Sequence, residues 1–231
     1  ADLDNDGDLD ILACNIGLNQ RFKNLGGNAI VLLTNDFDQN GKVESIHCIK
    51  KEGKHFPIHQ KNELVEQLPI LKKRVLKFED YASAAIEDMF SEEIIKRSII
   101  HEVNEFRSGI FFNENGKFQF SPLPVEVQYS EQMAACLVDL NNDGWKDIVI
   151  GGNQYETKPE MGMHAASYGH VLLNKKDQSF EHLNHEQSGF YVKGQIRDIE
   201  KFTFKNLNYI LVLRNNESAK VFKINDVNEI N

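Results

Sequence analysis

VDLNNDGWKDIVIGGN, residues 138–153, joins an acidic loop to an apolar strand, and the whole reading of the fold starts there. Oxygen-bearing side chains alternate at Asp139, Asn141 and Asp143, Gly144 follows, Asp147 stands ninth in the loop, and an apolar run begins at Ile148. The same plan opens the chain as DLDNDGDLDILACNIG (2–17) and recurs as NDFDQNGKVESIHCI (35–49). A fourth stretch, QIRDIEKFTFKNLNYILVLRNN (195–216), keeps the strands and loses most of the acids. Self-similarity of this kind marks a repeat architecture.

Working outward, short strand patterns at 146–150, 170–174 and 179–183 lie between this acidic loop and the degenerate fourth copy, and 134–138 in front of the loop makes four. That is the content of one propeller blade, a four-stranded sheet that buries its faces against its neighbours. A further hairpin, 109–113 with 117–120, turns at Asn113-Glu114-Asn115-Gly116, where Asn and Gly supply positive φ. The period changes in between. Leu64, Leu68, Leu71 and Val75, then Phe78, Ala82, Ala85, Ile86, Met89 and Phe90, follow helical spacing. Pro69, with no N–H to donate, should start, kink or interrupt the first helix.

The expected class is therefore mainly β: a partial β-propeller of four-stranded blades with calcium-binding loops and an α-helical insertion. Residues 1–61 read as blade segments with two acidic loops, 62–100 as the insertion, and 101–231 as further blades, the last of them degenerate. The insertion is expected to lie as an accessory layer outside the blades.

Chemistry follows from the loop spacing. Asp2, Asp4, Asp6 and Asp10 hold positions 1, 3, 5 and 9 around Gly7, with the carbonyl of Asp8 at position 7. Asp36, Asp38, Asn40 and Glu44, with Lys42 at position 7, repeat this around Gly41, and Asp139, Asn141, Asp143 and Asp147, with Trp145, repeat it around Gly144. A curled loop converges such oxygens on one point, as Ca²⁺ requires with its six to eight oxygen ligands at about 2.3–2.6 Å. No Glu stands at the twelfth position and strands follow the loops, which argues against EF-hands. Eleven of the 35 carboxylates crowd into these three segments, and three divalent ions would offset six of the nine net negative charges.

These loops resemble the DxDxDGxxD elements of FG-GAP/VCBS repeat propellers, the family that includes integrin α-chain head repeats and ASPIC/UnbV-type bacterial proteins. QLPILKK (67–73), DYASAAIEDMF (80–90), GGNQYETKPEMGMHAASYGHVLL (151–173) and SGFYVKGQIRDIE (188–200) are similar to bacterial surface-associated VCBS repeat proteins. The resemblance implies that the loop residues named above are metal ligands. It further implies a calcium-binding module for cell-surface or extracellular (or periplasmic) binding or scaffolding, with a protein or carbohydrate partner. It also implies more blades than this chain holds, so the chain reads as a C-terminal portion of a longer protein.

Other function classes fit less well. A net charge of −9 opposes nucleic-acid binding, which depends on Lys and Arg releasing counterions. No apolar run reaches the ~18 residues of a membrane span. Cys14, Cys48 and Cys136 lie in apolar stretches and are odd in number, so they read as buried free thiols. His47, Cys48, His55 and His59 cluster in sequence, but on a strand His47 and Cys48 face opposite ways, which argues against zinc. His182 and His185 read as solvated histidines at a strand end. No Gly-x-Ser-x-Gly elbow occurs, so the chain is not expected to be an enzyme; a carbohydrate-active propeller enzyme is the alternative. The long connection 152–169 is the candidate partner site through Tyr155, Glu156, Lys158, His164 and Tyr168, with Pro159 and Glu160 beside them.

Overall fold

The computed structural model describes residues 1–20, 29–159 and 162–225; Glu160, part of the expected partner loop, lies outside them. The strands among them are β1 (Ile11–Ala13), β2 (Ile30–Asn35), β3 (Glu44–Lys51), β4 (Lys54–Pro57), β5 (Ile99–Val103), β6 (Gly109–Glu114), β7 (Lys117–Pro122), β8 (Gln132–Val138), β9 (Asp147–Gly152), β10 (His170–Asn174), β11 (Phe180–Leu183), β12 (Ile196–Phe204), β13 (Leu207–Arg214) and β14 (Glu217–Lys223). They form antiparallel sheets ordered β1-β6-β7, β11-β10-β9-β8, β12-β13-β14 and β4-β3-β2-β5, none of them closed. The chain is mainly β, and it packs as two compact units, Ala1–Arg21 with Phe106–Asn231, and Phe22–Glu105.

In the first unit three sheets stack face to face, and β9 shows why its sequence is apolar without alternation. All six of its residues are buried. Period-two geometry sends successive side chains to opposite faces, so a strand buried on both sides needs no polar face. Ile148 and Ile150 join Leu3, Ile110, Phe112, Leu123, Val127 and Leu172 in one core, while Val149 joins Val171, Phe190, Val192, Ile196, Ile199, Ile210 and Val212 in another. Sheet β8–β11 is thus the middle layer. The β6–β7 hairpin turns on Asn115 and Gly116, both at positive φ (55° and 86°).

The second unit lies in sequence between β1 and β6, which nevertheless pair directly, Ile11 opposite Phe111. Its sheet is followed by short helices between β4 and β5: α1 (Lys61–Gln67), α2 (Phe78–Ser83), α3 (Ile86–Met89) and α4 (Glu92–Arg97). Pro69 ends α1's continuation and opens a 3-10 turn over Pro69–Lys73. Here the structure corrects the expectation of an accessory layer. Leu64, Leu68, Leu71, Val75, Ile86, Met89 and Phe90 share a single core with Val31, Leu33, Phe37, Ile46 and Cys48 of the sheet and its loop. Four to eight residues per strand give that sheet too little apolar area of its own, and the helices complete it. Phe78 and Ala82 depart from the helical pattern in being exposed, Phe78 lying under the Lys61 ammonium at 4.7 Å.

Candidate metal centres

Each acidic loop closes at its base on a residue pair: Ala1 with Asp10 by mutual backbone bonds of 2.8 and 3.1 Å, Asn35 with Glu44, and Val138 with Asp147. Backbone conformation then repeats. Position 4 is left-handed in all three (Asn5, Gln39 and Asn142, φ 57°, 59° and 59°), and so is the glycine at position 6 (φ 98°, 85° and 86°). Glycine carries no Cβ penalty there, which is the reason for its place in the motif. The residue at position 2 points into the protein, with Leu3 and Phe37 fully buried. Its N–H donates to the ninth-position carboxylate: Leu3 to Asp10 (2.8 Å), Phe37 to Glu44 (3.1 Å) and Leu140 to Asp147 (2.8 Å). Glu44, despite its longer arm, therefore takes the same place as the two aspartates.

Two of the loops gather carboxylates. One oxygen from each of Asp2, Asp4 and Asp10 lies within 4.8 Å of the others, and the same holds for Asp36, Asp38 and Glu44. Two unit charges at about 4 Å repel by about 1 kcal/mol in water and about 4 kcal/mol near a protein surface. In each cluster one oxygen has lost solvent without gaining a donor: Asp2 Oδ1 and Asp38 Oδ1 are buried and unpartnered. Their donor set is all oxygen and anionic, which fits a hard cation. Asp6 and Asn40 lie outside these trios and are exposed; each accepts the N–H of position 7, Asp8 (2.8 Å) and Lys42 (2.8 Å). Asp8 also fixes the β6–β7 turn by accepting from Asn115 N at 3.1 Å.

The third loop is differently satisfied. Asp139 accepts from Asp143 N (3.1 Å) and Gly144 N (2.9 Å), and Trp145 N donates to Asp143 Oδ1 (2.9 Å). Asp143 Oδ2 accepts from Asn141 Nδ2 (3.1 Å) and pairs with the Lys176 ammonium (3.1 Å). The Trp145 N–H, then Lys176 and Asn141, hold the Asp143 carboxyl below the usual carboxylate range; burial pushes Asp147 up.

Several partners of these loops carry no local sequence signal. Asn113 N and Asn174 N donate to Asp10 Oδ1 and Asp147 Oδ1, both at 2.9 Å, from the ends of β6 and β10. Gln178 Nε2 reaches Asp4 Oδ2 at 2.9 Å. Their equivalence emerges only when strands distant in sequence are aligned by pairing.

The partner loop is stitched down. Gln154 and His164 exchange backbone bonds (2.9 and 2.8 Å) and Thr157 Oγ1 bonds Gly162 O. Tyr155 N and Glu156 both engage Gln195, at 2.9 and 3.1 Å. His164 faces Glu131 at 3.5 Å, Lys158 is exposed, and Tyr168 stacks on Tyr191 at 4.8 Å with His185 edge-on to both rings. The structure thus groups Tyr155 with Glu156 and gives His164 and Tyr168 separate neighbours.

His182 is not a simple solvated histidine. It meets buried His170 at 3.1 Å, and His170 in turn bonds Ser167 Oγ at 3.0 Å. Burial, and then His182 and His185, push His170 down to about 3. Protonation costs the folded form more than the unfolded one, whose histidine titrates near about 6.5. This contribution is complete above about pH 6.5 and is lost as pH falls toward 3. By pH 4.5 about 2–3 kcal/mol of it has been lost. Thermal melts from pH 7 to 4.5 should show a flatter pH slope for His170→Gln than for the wild type; equal slopes would refute the assignment.

Of the thiols, Cys48 and Cys136 are buried and unbridged, and burial, then Glu87, pushes Cys48 up to about 12. Cys14 departs from expectation: β1 ends at Ala13 and the residue as a whole is exposed, although partial burial of its thiol still pushes that group up. His47 and His59 approach each other at 3.3 Å, while His55 pairs with Glu87 at 2.5 Å, so the four residues do not converge.

Among the described residues no helix is long and apolar enough to cross a membrane. No protein-family model matches the chain, and no curated protein matches it.

Proposed function

We propose that the chain is a calcium-binding β module, propeller-like and of the FG-GAP/VCBS type, that binds or scaffolds a protein or carbohydrate ligand outside the cell. The observation that carries this reading is the pair of buried carboxylate oxygens, Asp2 Oδ1 and Asp38 Oδ1, each without a donor inside a carboxylate cluster. A buried anion without a partner is costly, and a bound cation removes the cost. Asp2, Asp4 and Asp10 would hold one ion, and Asp36, Asp38 and Glu44 another. The ion would supply charge neutralisation and a rigid loop, and the strands behind it would hold the adjoining surface in place. Isothermal titration of the metal-free protein with CaCl₂ should give saturable binding that Asp2→Asn and Asp38→Asn each reduce. Absence of binding at millimolar calcium would overturn the reading.

A further inference from the structure

We propose that Lys176 is the resident cation of the third acidic loop, so that the chain takes up calcium in its first and second loops and not in its third. This rests on the calcium reading of those two loops. Three positional comparisons support it.

First, every side-chain oxygen of the four expected ligands in the third loop has a donor. Asp139 takes two N–H groups, Asn141 Oδ1 takes Asp143 N (3.1 Å), and Asp147 takes Leu140 N and Asn174 N (2.8 and 2.9 Å). Asp143 takes Trp145 N on one oxygen, and Asn141 Nδ2 with Lys176 Nζ on the other. Asp2 Oδ1 and Asp38 Oδ1 mark the contrast in the other loops. Second, the position-3 side chain, a carboxylate in the first two loops, is an amide here, and its NH₂ is turned toward Asp143. A neutral amide in that place brings one negative charge fewer to a cation than the carboxylates of Asp4 and Asp38 do. Third, and as a consequence of that amide, this loop has no trio of carboxylates at positions 1, 3 and 9 of the kind the other two gather.

Lys176 is delivered by a constrained turn. Asn174 Nδ2 donates to Leu3 O (2.7 Å) and Lys146 O (3.2 Å), and its Oδ1 accepts from Lys176 N (2.8 Å). Lys176 and Gln178 both sit at positive φ (67° and 64°), which turns their side chains out to two different loops. Gln178 offers Asp4 a neutral amide, which orients a ligand without replacing an ion, as groups behind a metal's own ligands commonly do. Lys176 offers Asp143 a full positive charge. One turn thus serves a metal loop and a metal-free one. The ammonium is half-exposed, so the ion pair alone is weak, and the complete set of donors around it adds to its effect.

The test counts ions. Native mass spectrometry and calcium titration should find two ions per wild-type chain and three in Lys176→Met. Trp145, the only tryptophan of the chain, stands at position 7 of the third loop, so its fluorescence reports on that loop alone. Calcium should leave it unchanged in the wild type and shift it in Lys176→Met, and Asp143→Asn added to that variant should abolish the shift. Melting in EDTA shows whether each variant is folded; if Lys176→Met is not, the wild-type count and fluorescence decide. Three ions in the wild type, or two in both proteins, would overturn the proposal while leaving calcium binding intact. No ion in either would overturn both readings.

Discussion

Excess EDTA added to the calcium-loaded protein should lower its melting temperature, and by more in the second unit than in the first. Saturation to about 100 times Kd stabilises a folded site by about 2.7 kcal/mol. For a unit of 84 residues (22–105) each kcal/mol is worth about 4–8 °C, whereas for 147 residues (1–21 with 106–231) it is nearer to about 2–4 °C. A calorimetric scan should therefore show a loss of roughly 10–20 °C for the unit holding Asp36, Asp38 and Glu44. Asp38→Ala should abolish that response. In EDTA the same variant should melt no lower than the wild type, because it removes one of three mutually repelling carboxylates. That opposite behaviour with and without calcium separates a ligand from a merely structural residue. Asp198, exposed and outside any acidic loop, should tolerate Ala in both conditions. A melting curve indifferent to EDTA at low ionic strength would remove the calcium assignment.

Phe37→Ala should cost about 3–5 kcal/mol and melt the second unit selectively. Phe37 is fully buried beneath the second acidic loop, its ring centroid 4.9 Å from that of Phe90, and its N–H holds Glu44. Truncation leaves a cavity where loop, sheet and helices meet, so calcium affinity and helical circular dichroism should fall together. Phe37→Leu should keep most of both. Phe78→Ala, on an exposed helical face, should stay within about 0.5 kcal/mol of the wild type. Deleting residues 62–97 should unfold the sheet of this unit as well, since it strips Val31, Leu33, Ile46 and Cys48 of their cover. A sheet that survives that deletion would restore the accessory-layer reading.

Much of this was legible in the sequence because the determining features are local. Glycine at position 6, alternate carboxylates and a following apolar run each act within nine residues, and the backbone they specify recurs at Gly7, Gly41 and Gly144. The buried face of the helical stretch was legible at Leu64, Leu68, Leu71 and Val75 for the same reason. Its destination was not, because periodicity says that a face is apolar and not what covers it. Phe78 fits the period and is exposed, since the chain breaks into short helices there and the phase is lost. Lys176 and Gln178 were invisible as loop partners: they lie 33 residues from Asp143 and 174 from Asp4, and only strand pairing brings them into reach.

The pairing of β1 with β6 has a consequence in chain statistics. The two strands are separated by the 95 residues between Ala13 and Gly109, whereas β6 and β7 are separated by two. Closing the longer connection as a random coil costs about 3 kcal/mol more than closing the shorter, by the logarithmic dependence on length. A folded second unit shortens the disordered contour that must be closed, because the hydrogen bond from Gly17 N to Phe106 O (2.8 Å) then ties off a compact body and not a free coil. Unfolding of residues 22–105 returns that contour to the coil, and the penalty falls on Ile11–Ala13. The two units are thereby thermodynamically linked through their connectivity alone, with no requirement for a shared surface.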